Sequence, residues 1–239
     1  MAKRLTAFGL TIMILLCLPF ASFSHANTKA YTNSKKVVYL TFDDGPNLES
    51  QKILDILKKK NIKATFFLIE PQIRHYPKTT QRMFREGHSL GLHSVTHNAK
   101  KLYYGNPANV AKEMEKTRLT LKKITKLDSH LTRVPYGSKP YMKQSFRNEL
   151  VKKHFKMWDW NIDSEDWKYD TKNPAKIVSN VKSGLKGKSG PIVILFHCKK
   201  GTVQKLPEMI DYLRKKGYTF KAYDPKHHFE MNFWNDKRL

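Results

Sequence analysis

Two adjacent carboxylates, Asp43 and Asp44, stand in the run Thr41-Phe42-Asp43-Asp44-Gly45-Pro46. Folding alone explains such a pair poorly, because like charges repel and a Gly-Pro turn needs at most one aspartate. A division of labour explains it better: one carboxylate binds a cation, and its neighbour faces a substrate as a base. The second cluster is Gly91-Leu92-His93-Ser94-Val95-Thr96-His97. Histidines four apart share one face of a helical turn and can chelate one metal ion. The zinc-protease motif of this spacing carries glutamate after the first histidine, where this chain has Ser94, so that chemistry is not expected. Two histidines plus one aspartate make a three-ligand site with a position open for water, as a hydrolytic centre requires. Three further segments, Arg133-Val134-Pro135-Tyr136-Gly137, Asp163-Ser164-Glu165-Asp166-Trp167 and Leu195-Phe196-His197, are weak signals taken singly.

These residues need elements to hold them. Apolar runs predict strands at Val37–Phe42, Ala64–Leu68, His88–Leu92, Leu131–Arg133, Phe155–Trp160, Pro191–Phe196 and Tyr218–Ala222. Between them lie amphipathic stretches at Ser50–Lys60, Ala108–Lys126, Gln144–Lys153 and Pro207–Lys216, and Pro174 opens a further helix. Strands alternating with helices argue for a parallel sheet with crossover helices. About seven such units predict an α/β fold, a distorted or incomplete (β/α) barrel, whose chemistry gathers at the C-terminal ends of the strands. All five polar segments fall at or just after predicted strand ends.

In this order the five segments resemble the polysaccharide deacetylases, the NodB-homology domain of carbohydrate esterase family 4, over Val37 to Phe220. The resemblance implies a zinc-dependent hydrolase that removes N-acetyl groups from N-acetylglucosamine-type sugars. It implies Asp44, His93 and His97 as ligands of one divalent metal ion and Asp43 as general base. Arg133 is expected to hold Asp43, and the Tyr136 backbone N–H to bind the oxyanion. Asp166 is expected to orient His197, the general acid, while Trp167 and Leu195 line an acetyl pocket. Ser94 belongs to the motif in a supporting role. Three positions depart from the family pattern: Val134 stands where many members have proline, Glu70 where glycine is common, and Cys198 where an acidic or polar residue is frequent. None removes a motif residue.

Charge and the N-terminus place this chemistry. Lys3 and Arg4, the apolar run Ala7–Phe20 and the small residues of Ser24-His25-Ala26 form an export signal with cleavage after Ala26. The run is shorter than the roughly 20 residues that span a bilayer. Residues 27–36 then make a short N-terminal segment and residues 37–239 the catalytic domain, with no stable membrane span after processing. Cys17 leaves with the signal, so Cys198 stands alone in the mature chain and no internal disulfide is expected. A formal charge of +25 implies attraction to polyanions. The lysines are spread along the chain and form no basic arm, so the expected partner is an acetylated polysaccharide in an anionic cell wall, not nucleic acid. The protein is therefore expected to be secreted or wall-associated. Peptidoglycan is the first substrate expected; chitin-like oligomers, poly-N-acetylglucosamine or acetylated xylan come second. A wall-binding barrel without turnover is the third reading, opposed by the presence of both Asp43 and His197.

Overall fold

Along β1 (Val37–Gly45) successive side chains point to opposite faces of the strand, as pleating requires, and this alternation divides the molecule into two layers. Val38, Leu40 and Phe42 are completely buried among the helices, while Tyr39 packs into a smaller inner cluster. The same parity governs β2 (Thr65–Leu68) and β7 (Ile192–His197). Phe66 and Ile194 join the helical layer, and Phe67 and Val193 the inner one. Each fully buried apolar side chain of this size contributes roughly 1.5–3 kcal/mol. Residues at odd positions of β1 and β7 therefore line the inside, which is where Thr41, Asp43, Leu195 and His197 fall.

This computed structural model describes residues 36–239 and the first two residues; the predicted export signal otherwise lies outside the described residues. The remaining strands are β3 (Ser89–Leu92), β4 (Leu131–Thr132), β5 (Lys156–Met157), β6 (Ile162–Asp163) and β8 (Thr219–Phe220). They run in the order β5-β4-β3-β2-β1-β7-β6, with β8 pairing β1 off that path, and every pairing is parallel. Seven parallel strands thus curl into a half-barrel, as expected. Helices surround it: α1 (Leu48–Lys59), α2 (Glu70–His75), α3 (Pro77–Arg85), α4 (Ala99–Tyr103), α5 (Ala108–Thr125), α6 (Gln144–Lys152), α7 (Asp166–Tyr169), α8 (Pro174–Gly184) and α9 (Lys200–Lys215). Among the described residues no helix is long and apolar enough to cross a membrane.

Two expected elements take a different form. The strand predicted over Phe155–Trp160 pairs only at Lys156–Met157, and Ile162–Asp163 forms β6 at the opposite edge of the sheet. Residues 158–161 cross the opening between the edges, and the C-terminal segment covers them. Trp158 bridges to Met231, its indole donates to the Phe229 carbonyl at 3.0 Å, and Asp159 N–H donates to the Met231 carbonyl at 2.6 Å. The barrel is incomplete because the chain spends these residues on aromatic packing instead of ladder pairing. The helix predicted to open at Pro207 begins at Lys200 and carries Pro207 inside it.

Candidate active site

In a regular strand Asp43 and Asp44 would point to opposite faces. The register between β1 and β2 shifts after Phe42, and Asp44 adopts a left-handed backbone with φ of 67°. An aspartate tolerates that conformation better than most residues. Both carboxylates consequently face one cavity at the C-terminal mouth of the half-barrel.

The histidines reach the same place from the loop after β3, and here the expected helical turn is corrected. Residues 93–97 are not helical; Ser94 and His97 have φ of 71° and 45°, so both side chains converge through two left-handed residues. Such conformations cost of order 1–3 kcal/mol each and persist only where the surroundings enforce them. His93 is buried, with Nδ1 at 2.7 Å from the Arg133 carbonyl, which leaves Nε2 for the cavity. His93 Nε2 lies 3.5 Å and His97 Nε2 3.3 Å from Asp44 Oδ1. Ligand atoms about 2.0–2.1 Å from a tetrahedrally coordinated ion stand about 3.3 Å apart, so these spacings fit a shared ion. Asp44 Oδ1 is moreover buried with no hydrogen-bond partner, and the three groups form a cluster able to hold a metal. Burial holds the His93 pKa below the ordinary histidine value against the pull of Asp43 and Asp44, which keeps its lone pair available. Asp44 is depressed: burial opposes its ionisation, but His93, His197, His97 and Lys199 outweigh it.

Asp43 is fixed from behind. The completely buried Arg133 guanidinium donates to Asp43 Oδ1 at 2.9 Å, to Thr41 Oγ1 at 2.7 Å, and to the Trp158 and Asp159 carbonyls at 3.1 and 2.7 Å. Its remaining face lies over the Phe67 ring, 4.1 Å from the centroid. A buried ion pair is costly to desolvate, and these surrounding acceptors offset the cost. Asp43 Oδ2 is left facing the cavity, 3.8 Å from His93 Nε2.

Parallel pairing of β1 and β7 puts Thr41 beside Leu195 and Asp43 beside His197. Neighbouring strands lie about 4.8 Å apart, so the two ionisable groups stand side by side on the inner face. His197 Nδ1 is 2.6 Å from Asp166 Oδ1, and its backbone N–H donates to Asp166 Oδ2 at 2.6 Å. Asp166 is completely buried and also accepts from Thr202. Burial disfavours the imidazolium, but Asp166, with help from Asp43 and Asp44, raises the His197 pKa to about 9. A bound divalent cation would act in the opposite sense.

The cavity measures about 410 Å³ and is lined by Asp43, Asp44, His93, His97, Tyr136, Trp160, Asp163, Trp167, Leu195, His197 and Lys199. Arg133 and Asp166, also expected at the site, lie behind it as supports. Tyr136 has a φ of 68° and its hydroxyl donates to the His97 carbonyl at 2.8 Å, so its side chain braces the histidine loop as well. Trp167 is half exposed at the rim, with its indole 3.4 Å from Asp163 Oδ2. Ser94 is buried and accepts from His97 N–H at 3.1 Å, a bracing contact. Cys198 is buried away from the cluster, and burial pushes its thiol up, so it is a packed neutral group.

Sequence reasoning named Asp163 within a polar segment but gave it no role, and it missed Trp160, Lys199 and the support Asp159. Asp159 is buried and accepts from Ser138 N–H at 2.8 Å, Ser138 Oγ at 2.5 Å and Phe233 N–H at 2.7 Å, tying the Tyr136 loop to the C-terminal segment. A lone aspartate between Trp158 and Trp160, inside a predicted strand, was the available signal.

A family model for polysaccharide deacetylases matches residues 30–158. YheN of Bacillus subtilis is 42% identical over 204 residues, covering 84% of this chain and 72% of its own. A peptidoglycan-N-acetylglucosamine deacetylase of Bacillus cereus is 39% identical over 210 residues, covering 86% of this chain and 76% of its own. The crystal structure of the polysaccharide deacetylase Bc1974 from Bacillus cereus superposes with a TM-score of 0.81 at 40% identity, covering 85% of this chain and all of that one. The fold and the site define a barrel hydrolase of carbohydrates. The chain belongs to the polysaccharide deacetylase family.

Proposed function

We propose that this protein hydrolyses the N-acetyl groups of N-acetylglucosamine-type residues in a cell-wall polysaccharide, peptidoglycan first, with release of acetate. The observation that carries this reading is the pairing of Asp43, held by Arg133, with His197, held by Asp166, across one cavity that also contains the Asp44–His93–His97 cluster. The similarity to a peptidoglycan-N-acetylglucosamine deacetylase supports the substrate.

A divalent ion held by Asp44, His93 and His97, zinc in our reading, would polarise the acetyl carbonyl and acidify water beside it. The residues of the chain do the rest. Asp43 takes the proton of the attacking water through Oδ2, because Arg133 occupies Oδ1. The Tyr136 N–H, which makes no hydrogen bond among the described residues, donates to the developing oxyanion. His197 delivers its Nε2 proton to the departing nitrogen, since Asp166 engages Nδ1. Leu195 and Trp167 enclose the acetyl methyl and exclude water. Retention of this paired acid and base opposes a barrel without turnover.

The two carboxylates give the direct test. Asp43→Asn keeps an oxygen toward Arg133 but loses the base, so it should retain the metal while turnover falls about 10²- to 10⁴-fold. Asp44→Asn should lose the metal. Elemental analysis and acetate release measured on both variants check the assignment, and the opposite pattern of metal content would reverse the roles.

Export and recruitment follow from the N-terminus and the charge. The mature chain is expected to begin near Asn27 and to be held on the wall by its basic surface. Raising salt shortens the Debye length from about 10 Å at 0.1 M to about 3 Å at 1 M, and should release it. The check is N-terminal sequencing of protein eluted by salt from host walls. Elution indifferent to salt, or a chain still starting at Met1, counts against this account.

A further inference from the structure

The loop carrying both histidines is gripped from α5. Glu113 Oε2 accepts from the backbone N–H groups of Val95 at 2.9 Å and Thr96 at 2.8 Å, and Oε1 accepts from the Thr96 hydroxyl at 2.8 Å. One turn further on, Thr117 Oγ1 donates to the Ser94 carbonyl at 3.0 Å. Positions four apart lie on the same helix face, so one face of α5 holds three consecutive residues between the histidines. Glu113 pairs with no lysine or arginine among the described residues, so both of its oxygens are engaged by the loop alone.

The two histidines do not need this grip equally. His93 continues the β2–β3 ladder, with its N–H donating to the Leu68 carbonyl at 2.9 Å, and its ring is locked on the Arg133 carbonyl. His97 lies beyond the left-handed turn, is partly exposed, and is placed by the loop itself. We infer that Glu113 is a positioning residue for the metal centre: by clamping Val95 and Thr96 it holds His97 at the distance from Asp44 that a shared divalent ion needs, and so sets metal affinity. This rests on the proposed assignment of Asp44, His93 and His97 as ligands. Glu113 does not pack the helix into the core; Val110, Met114, Thr117 and Leu121 do that.

Two conservative substitutions separate position from charge. Glu113→Asp keeps the charge but is one methylene too short to reach the loop. Glu113→Gln keeps the reach and a carbonyl acceptor, and its amide can donate to the Thr96 hydroxyl, but it removes the charge. Zinc dissociation constants are measured on the apo full chain by competition with a chromophoric chelator, with circular dichroism confirming the fold. Glu115→Ala, on the same helix and paired with Arg118, is the control for helix weakening. We expect Glu113→Asp to weaken zinc binding roughly 10- to 100-fold, the effect typical of groups that orient metal ligands, with Glu113→Gln and Glu115→Ala within about threefold of the parent chain. The turnover deficit of Glu113→Asp should shrink at saturating zinc, because the ion itself then holds His97. Parent-like affinity in Glu113→Asp overturns the inference, as does an equal loss in Glu113→Asp and Glu113→Gln. A parent chain that fails to bind one zinc would instead overturn the ligand assignment.

Discussion

Replacing His93 by alanine is expected to abolish stoichiometric metal binding and acetate release together. His93 is the most constrained member of the cluster: it is 2% exposed, its Nδ1 meets the Arg133 carbonyl, and its Nε2 faces Asp44. Burial keeps it neutral at ordinary pH, so protons compete little with a metal for its lone pair. Alanine removes one of the three proposed ligands and leaves a half-buried Asp44 carboxylate with only His97 beside it. The loss should exceed the roughly 10- to 100-fold that follows removal of a group merely orienting a ligand. Elemental analysis of purified His93→Ala protein and an acetate-release assay check it together. One equivalent of zinc in that variant would remove His93 from the ligand set.

Much of this site was legible because strand parity is simple. A residue two positions along a strand returns to the same face, so Leu195 and His197 had to share an environment, as did Thr41 and Asp43. Once the strands were placed in the sequence, the inner face was placed too. The loop conformation was not legible. Histidine spacing of four suggested a helical turn, yet Ser94 and His97 take left-handed conformations that tertiary contacts from Glu113, Thr117 and Tyr136 enforce, across hydrogen bonds that span 17 to 39 positions. The crossing between β5 and β6 was missed for a related reason. Phe155–Trp160 has the aromatic composition of a strand, but its last residues find packing partners in the C-terminal segment, which outweighs ladder pairing there. The short helices α2 and α3 were also overlooked; each has proline in its first turn, α2 is only six residues long, and two of the three buried residues of α3 are threonines, which give no apolar signal.

The last prediction concerns the leaving group. An amine anion is far too basic to depart, whereas an activated phenolate needs no proton, so only amide hydrolysis depends fully on the acid. His197→Ala is therefore expected to suppress N-deacetylation by about 10²- to 10⁴-fold while sparing much more activity on an activated aryl acetate. Asp166→Asn should show the same selectivity more mildly, because it weakens the acid without deleting it, and zinc content should be unchanged in both. The pH behaviour follows from the same pair. In the metal-free chain Asp166 raises the His197 pKa to about 9, so the imidazolium proposed as proton donor is present below that pH and lost above it. The folded value lies above the ordinary histidine pKa, so the pair's contribution to stability is complete below about pH 6.5 and disappears as pH rises through the folded value. In Asp166→Asn the alkaline limb of N-deacetylation should move to lower pH, and the loss of stability on going from neutral to alkaline pH should become smaller. Rate profiles on both substrates, with thermal melts across the same pH range, provide the measurement. Equal losses on amide and ester, or loss of zinc from His197→Ala, would place His197 in the metal cluster or the fold and leave the acid to be found among the other polar groups of the cavity.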